Sequence, residues 1–443
     1  MFFKKTIKSI KPGLYHRRGK RGRYQGYRIH LKIEDDGSGL VVINASSILH
    51  LNKTAAQFAK FFIDGESDGT AVKEICSRYR VKKERAEKDY LKLKNKILEI
   101  ATGEHLEPEM FLGMDRVDAF STPVSAPYRS DIVLTYRCNN SCKHCYVGRK
   151  LPFPEMDTND WKKVMGKLWD IGIPHITFTG GEPTLREDLP ELVAYAEEIG
   201  LVTGVITNGR LLSKKLVNEL VSVGLDHIQI TIESYKEKTH NRMVNTDAWK
   251  QTVEGIKNCL ESPLYVLTNT TITKDNCDEI EMHLNFLEGI GVKKFAYNSL
   301  IYSGNGCSVG TGIEEEEIGK YVRRIKRKAE ELGLDFIWYT PTRYCIFDPL
   351  VEGVGLKQCS AAKYNIAVEP NGDVIPCQSY FETMGNIVKD SWDNIWNSDL
   401  ALYIRNRKYI HEECKVCPDL NLCGDGCPLY NRVNDRLILG LKA

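Results

Sequence analysis

This 443-residue sequence lacks any apolar run near the roughly 20 residues that a membrane-spanning helix needs. Its N-terminus also lacks the apolar core of a secretory signal. Those absences predict a cytoplasmic chain without a membrane partner. Net charge is missing too: 61 basic residues against 59 acidic ones leave +2, so no bulk field draws the chain to nucleic acid. Locally, acidic residues are absent between Lys4 and Arg28, where Lys5, Lys8, Lys11, Arg17, Arg18, Lys20, Arg21 and Arg23 fall. Such a run reads as a solvated basic tail or, alternatively, as an attractor for an acidic partner. The length exceeds one ordinary core and predicts two or three domains.

Cysteine, by contrast, is plentiful. The chain has 14, and in a reducing compartment they are not expected to pair as structural disulfides. Clustered cysteines there indicate metal or redox chemistry. Ten of them fall in two fields, 138–145 and 345–427. Cys76 and Cys259 sit in helical patterns as small core residues, while Cys277 and Cys307 stand apart.

Three regions differ in pattern. Tyr27, Ile29 and Leu31 alternate, Asp35-Asp36-Gly37-Ser38-Gly39 makes a turn, and Leu40–Ile43 resumes a strand. Thr54 is placed to cap a helix through Phe62, and further helices fit 70–80 and 84–100. Residues 121–130, rich in Pro and Ser, read as a linker. From Asp131 strands and helices alternate, with strands expected at Ile132–Thr135, His175–Thr179, Gly204–Thr207, His227–Ile232, Tyr265–Thr271 and Lys294–Asn298. Repeated β–α units predict an α/β fold, a parallel sheet or barrel with function at the C-terminal strand ends. Beyond Cys345 the chain is loop-rich, and a compact core there is expected to need metal staples.

The first cysteine field, Cys138-x3-Cys142-x2-Cys145, directly follows the first of these strands. Three thiolates on one loop can hold three corners of a cubane cluster and leave one iron open to a small molecule. A zinc knuckle or chance clustering are the alternatives; structural zinc usually takes four protein ligands. The loop resembles that of the radical S-adenosylmethionine (SAM) superfamily, and the likeness extends through 131–305. Thr179-Gly180-Gly181-Glu182-Pro183 is similar to that family's Gly-Gly-Glu-Pro motif, Thr207-Asn208-Gly209 to its Thr-Asn-Gly, and Thr231-Ile232-Glu233-Ser234 to its Ser-Leu-Asp. His240-Asn241-Arg242 is similar to a His-Asp-x-x-Arg segment. The resemblance implies a partial (β/α)6 TIM-type barrel and a 4Fe–4S cluster on Cys138, Cys142 and Cys145. It also implies a SAM site including Gly180, Gly181, Glu182, Thr231 and Arg242, although a surface salt bridge is an equal reading of Arg242. In such enzymes one electron breaks the sulfonium bond, and the resulting 5′-deoxyadenosyl radical takes a substrate hydrogen.

In the second field, Cys359 is followed by Gly372 and Cys377, then Cys414-x2-Cys417-x5-Cys423-x3-Cys427. Read on spacing alone, the last four also allow a zinc ribbon. These spacings resemble the SPASM extension, with Met384-Gly385-Asn386-Ile387, Trp392, Ile395 and Trp396 in its linking segment. That resemblance implies one or two auxiliary clusters. The first would use Cys359, Cys377 and Cys427, with Cys345 as a distant candidate. The second would use Cys414, Cys417 and Cys423. No cysteine follows Cys427, so the second cluster is one ligand short: a non-cysteine ligand, an open iron and an incomplete centre all remain open. Sulfatase-maturating relatives carry an aspartate after the position of Cys377, where this chain has Gln378.

Segment 39–100 resembles the PqqD-like peptide-recognition domain, a winged-helix-like unit, through Val42-Ile43-Asn44, Leu51-Asn52-Lys53-Thr54-Ala55-Ala56 and Asp64-Gly65. A nucleic-acid-binding winged helix is the alternative, but its third helix mixes Glu84, Glu87 and Asp89 among its lysines. The expected layout is 1–120 peptide recognition, 121–130 linker, 131–340 radical SAM barrel and 341–443 a cysteine-rich auxiliary-cluster domain. The expected function is maturation of a ribosomal precursor peptide, bound by its leader, through a thioether or carbon crosslink. Electrons would come from a donor such as ferredoxin or flavodoxin. A maturase of a larger protein, or a non-enzymatic zinc-stapled binding protein, are the other classes. No catalytic side chain is legible.

Overall fold

The computed structural model describes residues 10–19, 26–45, 47–102 and 124–432. They form two compact units, each taken by itself below. Among the described residues no helix is long and apolar enough to cross a membrane.

In the N-terminal unit, β1 (Gly13–Arg18), β2 (Arg28–Ile33), β3 (Gly39–Ile43) and β4 (Ser47–Leu51) pair in sequence order as an antiparallel sheet. The sheet packs with α1 (Lys53–Asp64), α2 (Asp68–Arg78) and α3 (Lys83–Thr102). Leu31, Val41 and Ile43 meet Phe58, Ile75, Tyr90 and Ile97 in one buried core. The α1 cap differs from the expectation at Thr54: Asn52 holds the first turn, its side chain accepting from the Ala55 amide at 2.9 Å. Asn at that position matches the four unsatisfied amides of a helix start. Gly65, at φ +77°, ends the helix by donating to Phe62 O, and Glu66 donates to Phe61 O. The expected basic tail is also corrected in part. Residues 13–18 form β1, and the Arg17 guanidinium lies 4.6 Å from the Phe62 ring centroid. The flanking residues 4–9 and 20–25 lie outside the described residues.

The second unit is built on a ten-stranded sheet in the order β11-β10-β9-β8-β7-β6-β5-β12-β13-β14. Its six expected strands are β5 (Arg129–Thr135), β6 (His175–Gly180), β7 (Val202–Thr207), β8 (His227–Thr231), β9 (Tyr265–Ile272) and β10 (Lys294–Ser299). Between them lie α4 (Thr158–Ile171), α5 (Leu189–Ile199), α6 (Lys214–Ser222), α7 (Glu237–Val244), α8 (Trp249–Leu260) and α9 (Ile280–Gly289). After α10 (Glu315–Leu332) comes a further strand, β11 (Asp335–Trp338), parallel to β10. Four residues are too few to stand out by pattern. The pairs from β7 to β11 are parallel, and Ile132, Leu134, Ile176, Phe178, Val205, Ile228 and Phe295 are fully enclosed. Near-continuous apolar runs are what a sheet covered on both faces requires. The linker expectation is shortened, because Arg129 and Ser130 already belong to β5; residues 121–123 lie outside the described residues.

The C-terminal region was expected to rely on metal for its core. Instead β12 (Asn365–Val368) pairs parallel to β5, and β13 (Asp373–Ile375) and β14 (Gly385–Asn386) continue antiparallel. The sheet thus supports part of that region. Short helices α11 (Trp392–Trp396), α12 (Asp399–Arg405) and α13 (Leu420–Cys423) carry the remainder.

Candidate functional site

The loop after β5 is held from four directions. Ser141 N–H donates to Val244 O at 3.1 Å and Lys143 N–H to Met243 O at 2.9 Å, tying the loop to the end of α7. Asn305 donates its backbone N–H to Cys145 O at 2.8 Å. Asn208 Nδ2 donates to Asn139 Oδ1 at 2.6 Å, and Arg210 donates to Asn139 O and Asn140 Oδ1. Finally, His144 Nε2 sits 2.9 Å from the buried Glu233 carboxylate, which also accepts from the Thr271 amide. Burial opposes the imidazolium, but Glu233 overrides it and raises the His144 pKa. His144 is therefore a brace of the loop, which explains its place between two cysteines.

The loop presents Cys138, Cys142 and Cys145 as free thiols. Burial raises the pKa of all three, and proximity of the thiols to one another adds to it at Cys138 and Cys142. Three mutually close thiols, none in a disulfide, fit an iron–sulfur cluster as donors, since bound iron favours the thiolate.

Gly180 and Gly181 serve a close backbone approach. A Cβ at Gly180 would lie 2.2 Å from Thr135 O, and one at Gly181 would lie 2.4 Å from Arg137 O. Gly181 N–H donates to Thr135 O at 2.7 Å and Glu182 N–H to Arg137 O at 2.9 Å, zipping this segment to the root of the cysteine loop. Glu182 is fully buried. Its carboxylate accepts from Thr184 N at 3.1 Å, Thr184 Oγ1 at 2.5 Å, Thr207 Oγ1 at 2.6 Å and Asn208 N at 2.7 Å. Glu182 was expected at the cofactor; its carboxylate is engaged in strapping two strand-end loops together. Thr231 lies at the end of β8, half-buried. Arg242 pairs with Asp275, at 3.3 Å to its carboxylate and 3.0 Å to its carbonyl, and is 45% exposed. The salt-bridge reading describes Arg242 as it stands.

A second cluster of residues, not singled out by sequence, stands beside the loop. Tyr136 OH donates to Glu369 Oε1 at 2.7 Å, and Arg149 grips both Glu369 oxygens at 2.7 and 2.6 Å. Tyr136 also meets Phe153 edge-on, and Arg149 lies 5.3 Å from the Phe381 centroid. Burial, then the neighbouring carboxylate, drives the Tyr136 pKa strongly up. Tyr146, next to Cys145, donates to Gln378, next to Cys377, at 3.3 Å. These contacts lock the first cysteine loop to the second cysteine field. Glu369→Gln keeps the volume but loses the two-oxygen grip, and charge-assisted bonds of this kind each contribute about 2 kcal/mol. The expected outcome is a destabilisation of about 2 kcal/mol, read as a lowered midpoint in thermal unfolding, with the side chains of Tyr136 and Arg149 left in place.

In the second field Cys359, Cys377 and Cys427 are mutual neighbours. Burial and then Cys427 and Cys377 raise the Cys359 thiol, and burial pushes Cys377 up to about 12. That trio matches the expected first auxiliary set. Cys345 is exposed, and the amide of its neighbour Tyr344 donates to Cys423 Sγ at 3.3 Å. Its segment therefore lies against Cys423. Cys414 is pushed up to about 12 by burial first and by Asp425 second, with Cys423 adding a further increment. Cys417 is exposed, its amide donating to Cys414 O at 3.1 Å. Asp425 and His411 beside Cys414 were missed by sequence; a lone Asp inside a cysteine spacing gives no pattern to read.

Residues 132–287 match the Radical SAM superfamily and residues 359–418 match an iron–sulfur cluster-binding domain, SPASM. A protein named Fe-coproporphyrin III synthase from Methanosarcina barkeri is 27% identical over 66% of this chain and 80% of its own. A PqqA peptide cyclase from Bradyrhizobium diazoefficiens is 28% identical over 66% of this chain and 79% of its own. The structure of SuiB from Streptococcus suis, bound to its precursor peptide SuiA, matches with TM-score 0.68 at 16% identity. That match covers 91% of this chain and 94% of SuiB, more than residues 124–443 alone can supply.

Proposed function

Starting from a chain that belongs to the radical SAM superfamily and carries a SPASM iron–sulfur domain, we propose that it modifies a ribosomally made precursor peptide. The product is a thioether or carbon crosslink, the leader is held by the N-terminal unit, and electrons come from a small donor such as ferredoxin or flavodoxin in the cytoplasm. When bound, the cluster and SAM supply one-electron chemistry able to remove hydrogen from an unactivated carbon. The cysteine ligands for the SAM-binding cluster are Cys138, Cys142 and Cys145. Those of the first auxiliary cluster are Cys359, Cys377 and Cys427. His144, Asn208 and Arg210 hold the first loop in place, and Glu182 sets the loop that carries Asn208. Such positioning keeps a substrate hydrogen near the reacting atoms, which is where the protein contributes rate.

The observation that carries the peptide reading is the N-terminal unit. Relatives of equal similarity are named for a coproporphyrin and for a peptide, so the barrel does not choose between substrate classes. Among the described residues the four-stranded sheet ends in β4, an edge strand with Ile48 37% exposed and Leu49 and Leu51 turned inward. An apolar residue facing out of an unpaired edge is an aggregation liability unless a further strand is added there. Strand addition is also how peptide-recognition domains take extended ligands. The N-terminal unit resembles that class, and SuiB, solved with a precursor peptide, has a similar fold. Tethering leader and barrel in one chain raises the local concentration of the core peptide.

The test is anaerobic turnover of the full chain with peptides encoded beside its gene. The expected product has lost a pair of hydrogens, one from carbon and one from its crosslinking partner. Ile48→Glu is expected to weaken leader binding by about tenfold or more, measured by fluorescence anisotropy, with peptide-independent SAM cleavage unchanged. No binding by any neighbouring peptide, and turnover indifferent to Ile48→Glu, would sink the reading.

A further inference from the structure

We propose that Asp425 is the fourth protein ligand of the second auxiliary iron–sulfur cluster, beside Cys414, Cys417 and Cys423, with His411 as its positioning residue. The cysteine spacing assigns three cysteines to that cluster, Cys414, Cys417 and Cys423. A 4Fe–4S centre usually takes four cysteines. The structure puts a carboxylate oxygen beside Cys414.

His411, Cys414 and Asp425 bring one ligand atom each within 4.8 Å of one another. Asp425 is fully buried, and its Oδ1 has no hydrogen-bond partner. Its Oδ2 is used twice, accepting from the His411 amide at 3.0 Å and lying 2.7 Å from His411 Nδ1. One carboxylate oxygen is thus fixed by protein while the other remains unsatisfied. A buried carboxylate oxygen left bare is costly unless a cation compensates it. The pairing of a ligating carboxylate with a second group that fixes its orientation is also the usual outer-shell arrangement at metals.

Backbone geometry agrees. Gly424, Asp425 and Gly426 all adopt positive φ, +66°, +61° and +68°. For Asp425 that conformation is uncommon and costs energy, and such residues persist where surroundings over-determine them. The turn inserts Asp425 between Cys423 and Cys427, so one tight loop serves both auxiliary sites. Asn431 Nδ2 donates to Asp425 O at 2.8 Å and fixes the turn from behind. Cys414 is the thiol next to the carboxylate, and Cys423 is two residues upstream. A mononuclear ion on His411, Cys414 and Asp425 would leave Cys417 and Cys423 without a role, whereas the cluster uses all of them. Binding is a ligand exchange without redox change: three thiols release their protons, and a carboxylate oxygen of Asp425 takes the fourth place.

The test reads metal rather than turnover, so its failure is separate from failure of the peptide reading. In full-length protein with Cys138, Cys142 and Cys145 replaced by alanine, only the auxiliary clusters remain. Iron and sulfide are then measured after anaerobic reconstitution, with EPR of the reduced protein. Asp425→Ala is expected to lose one cluster's iron, about four atoms per chain, or to degrade it to a three-iron form. Asp425→Cys is expected to retain full iron with a shifted EPR signal. His411→Ala is expected to retain iron with altered g values, and pulsed EPR should find no directly bound imidazole nitrogen. Should Asp425→Ala fail to fold, Asp425→Cys decides. An unchanged signal in Asp425→Cys, unchanged iron in Asp425→Ala, a strongly coupled histidine nitrogen or stoichiometric zinc would each overturn the assignment.

Discussion

Replacing Cys142 by alanine is expected to abolish reductive cleavage of SAM. Cys142 sits between Cys138 and Cys145 in the loop, and its thiol is raised well above the ordinary value by burial and then by Cys145, Glu233 and Cys138. It is the thiol most enclosed by the others, so no neighbour can substitute for it. With two ligands left, a cubane cluster has no stable seat on the loop. Chromatography should show no 5′-deoxyadenosine with a strong reductant, and iron should fall by about four atoms per chain. The control is Cys76→Ala, which alters a half-buried residue packed against the N-terminal core. It should leave both readings unchanged. Normal 5′-deoxyadenosine from Cys142→Ala would remove the cluster from this loop.

The second large effect is expected at Glu182. Alanine there strips four donors of their shared acceptor: two groups of Thr184, the Thr207 hydroxyl and the Asn208 amide. Unpaired buried donors cost about 1–3 kcal/mol each, partly relieved by water, so a loss of about 3 kcal/mol is reasonable. Asn208 is also released from its place beside Asn139. SAM affinity is therefore expected to fall by about tenfold or more while the iron content of the cysteine loop is retained. Equilibrium dialysis and iron analysis on one preparation separate the two. A Glu182→Ala protein with unaltered SAM affinity would show that the strap is dispensable.

The pH dependence has a definite sign. Burial raises the Glu182 pKa above its ordinary 4.5, against the lowering effect of its hydrogen bonds. In the window above 4.5 the folded state binds more protons than the unfolded one, so this group's contribution to stability falls as pH rises through that window. Glu182→Gln, which cannot titrate, should flatten that part of a stability–pH profile measured by thermal unfolding.

The sequence itself determined which thiols the first loop carries. Cys138, Cys142 and Cys145 fall within eight consecutive residues, so their nearness is legible in the chain, while distant partners at Val244, Asn208, Glu233 and Asn305 fix the loop that carries them. Strand positions β5 to β10 were legible because short strand-like runs alternate with amphipathic helical stretches along the chain. That Cys359, Cys377 and Cys427 are neighbours was expected only through the resemblance to a known spacing.

Other features were decided by tertiary structure, because their partners are distant in sequence and carry no period. Glu369 meets Tyr136 and Arg149 only because β12 joins the edge of β5. The Glu182 carboxylate bridges two strand-end loops by accepting from Thr184, Thr207 and Asn208, partners that only the fold brings together. Arg242 found Asp275, a partner no local pattern indicates. Asp425 sits inside a cysteine spacing where sequence reading counts only sulfur. It took the fold to show that this carboxylate is buried, half-unsatisfied and beside Cys414.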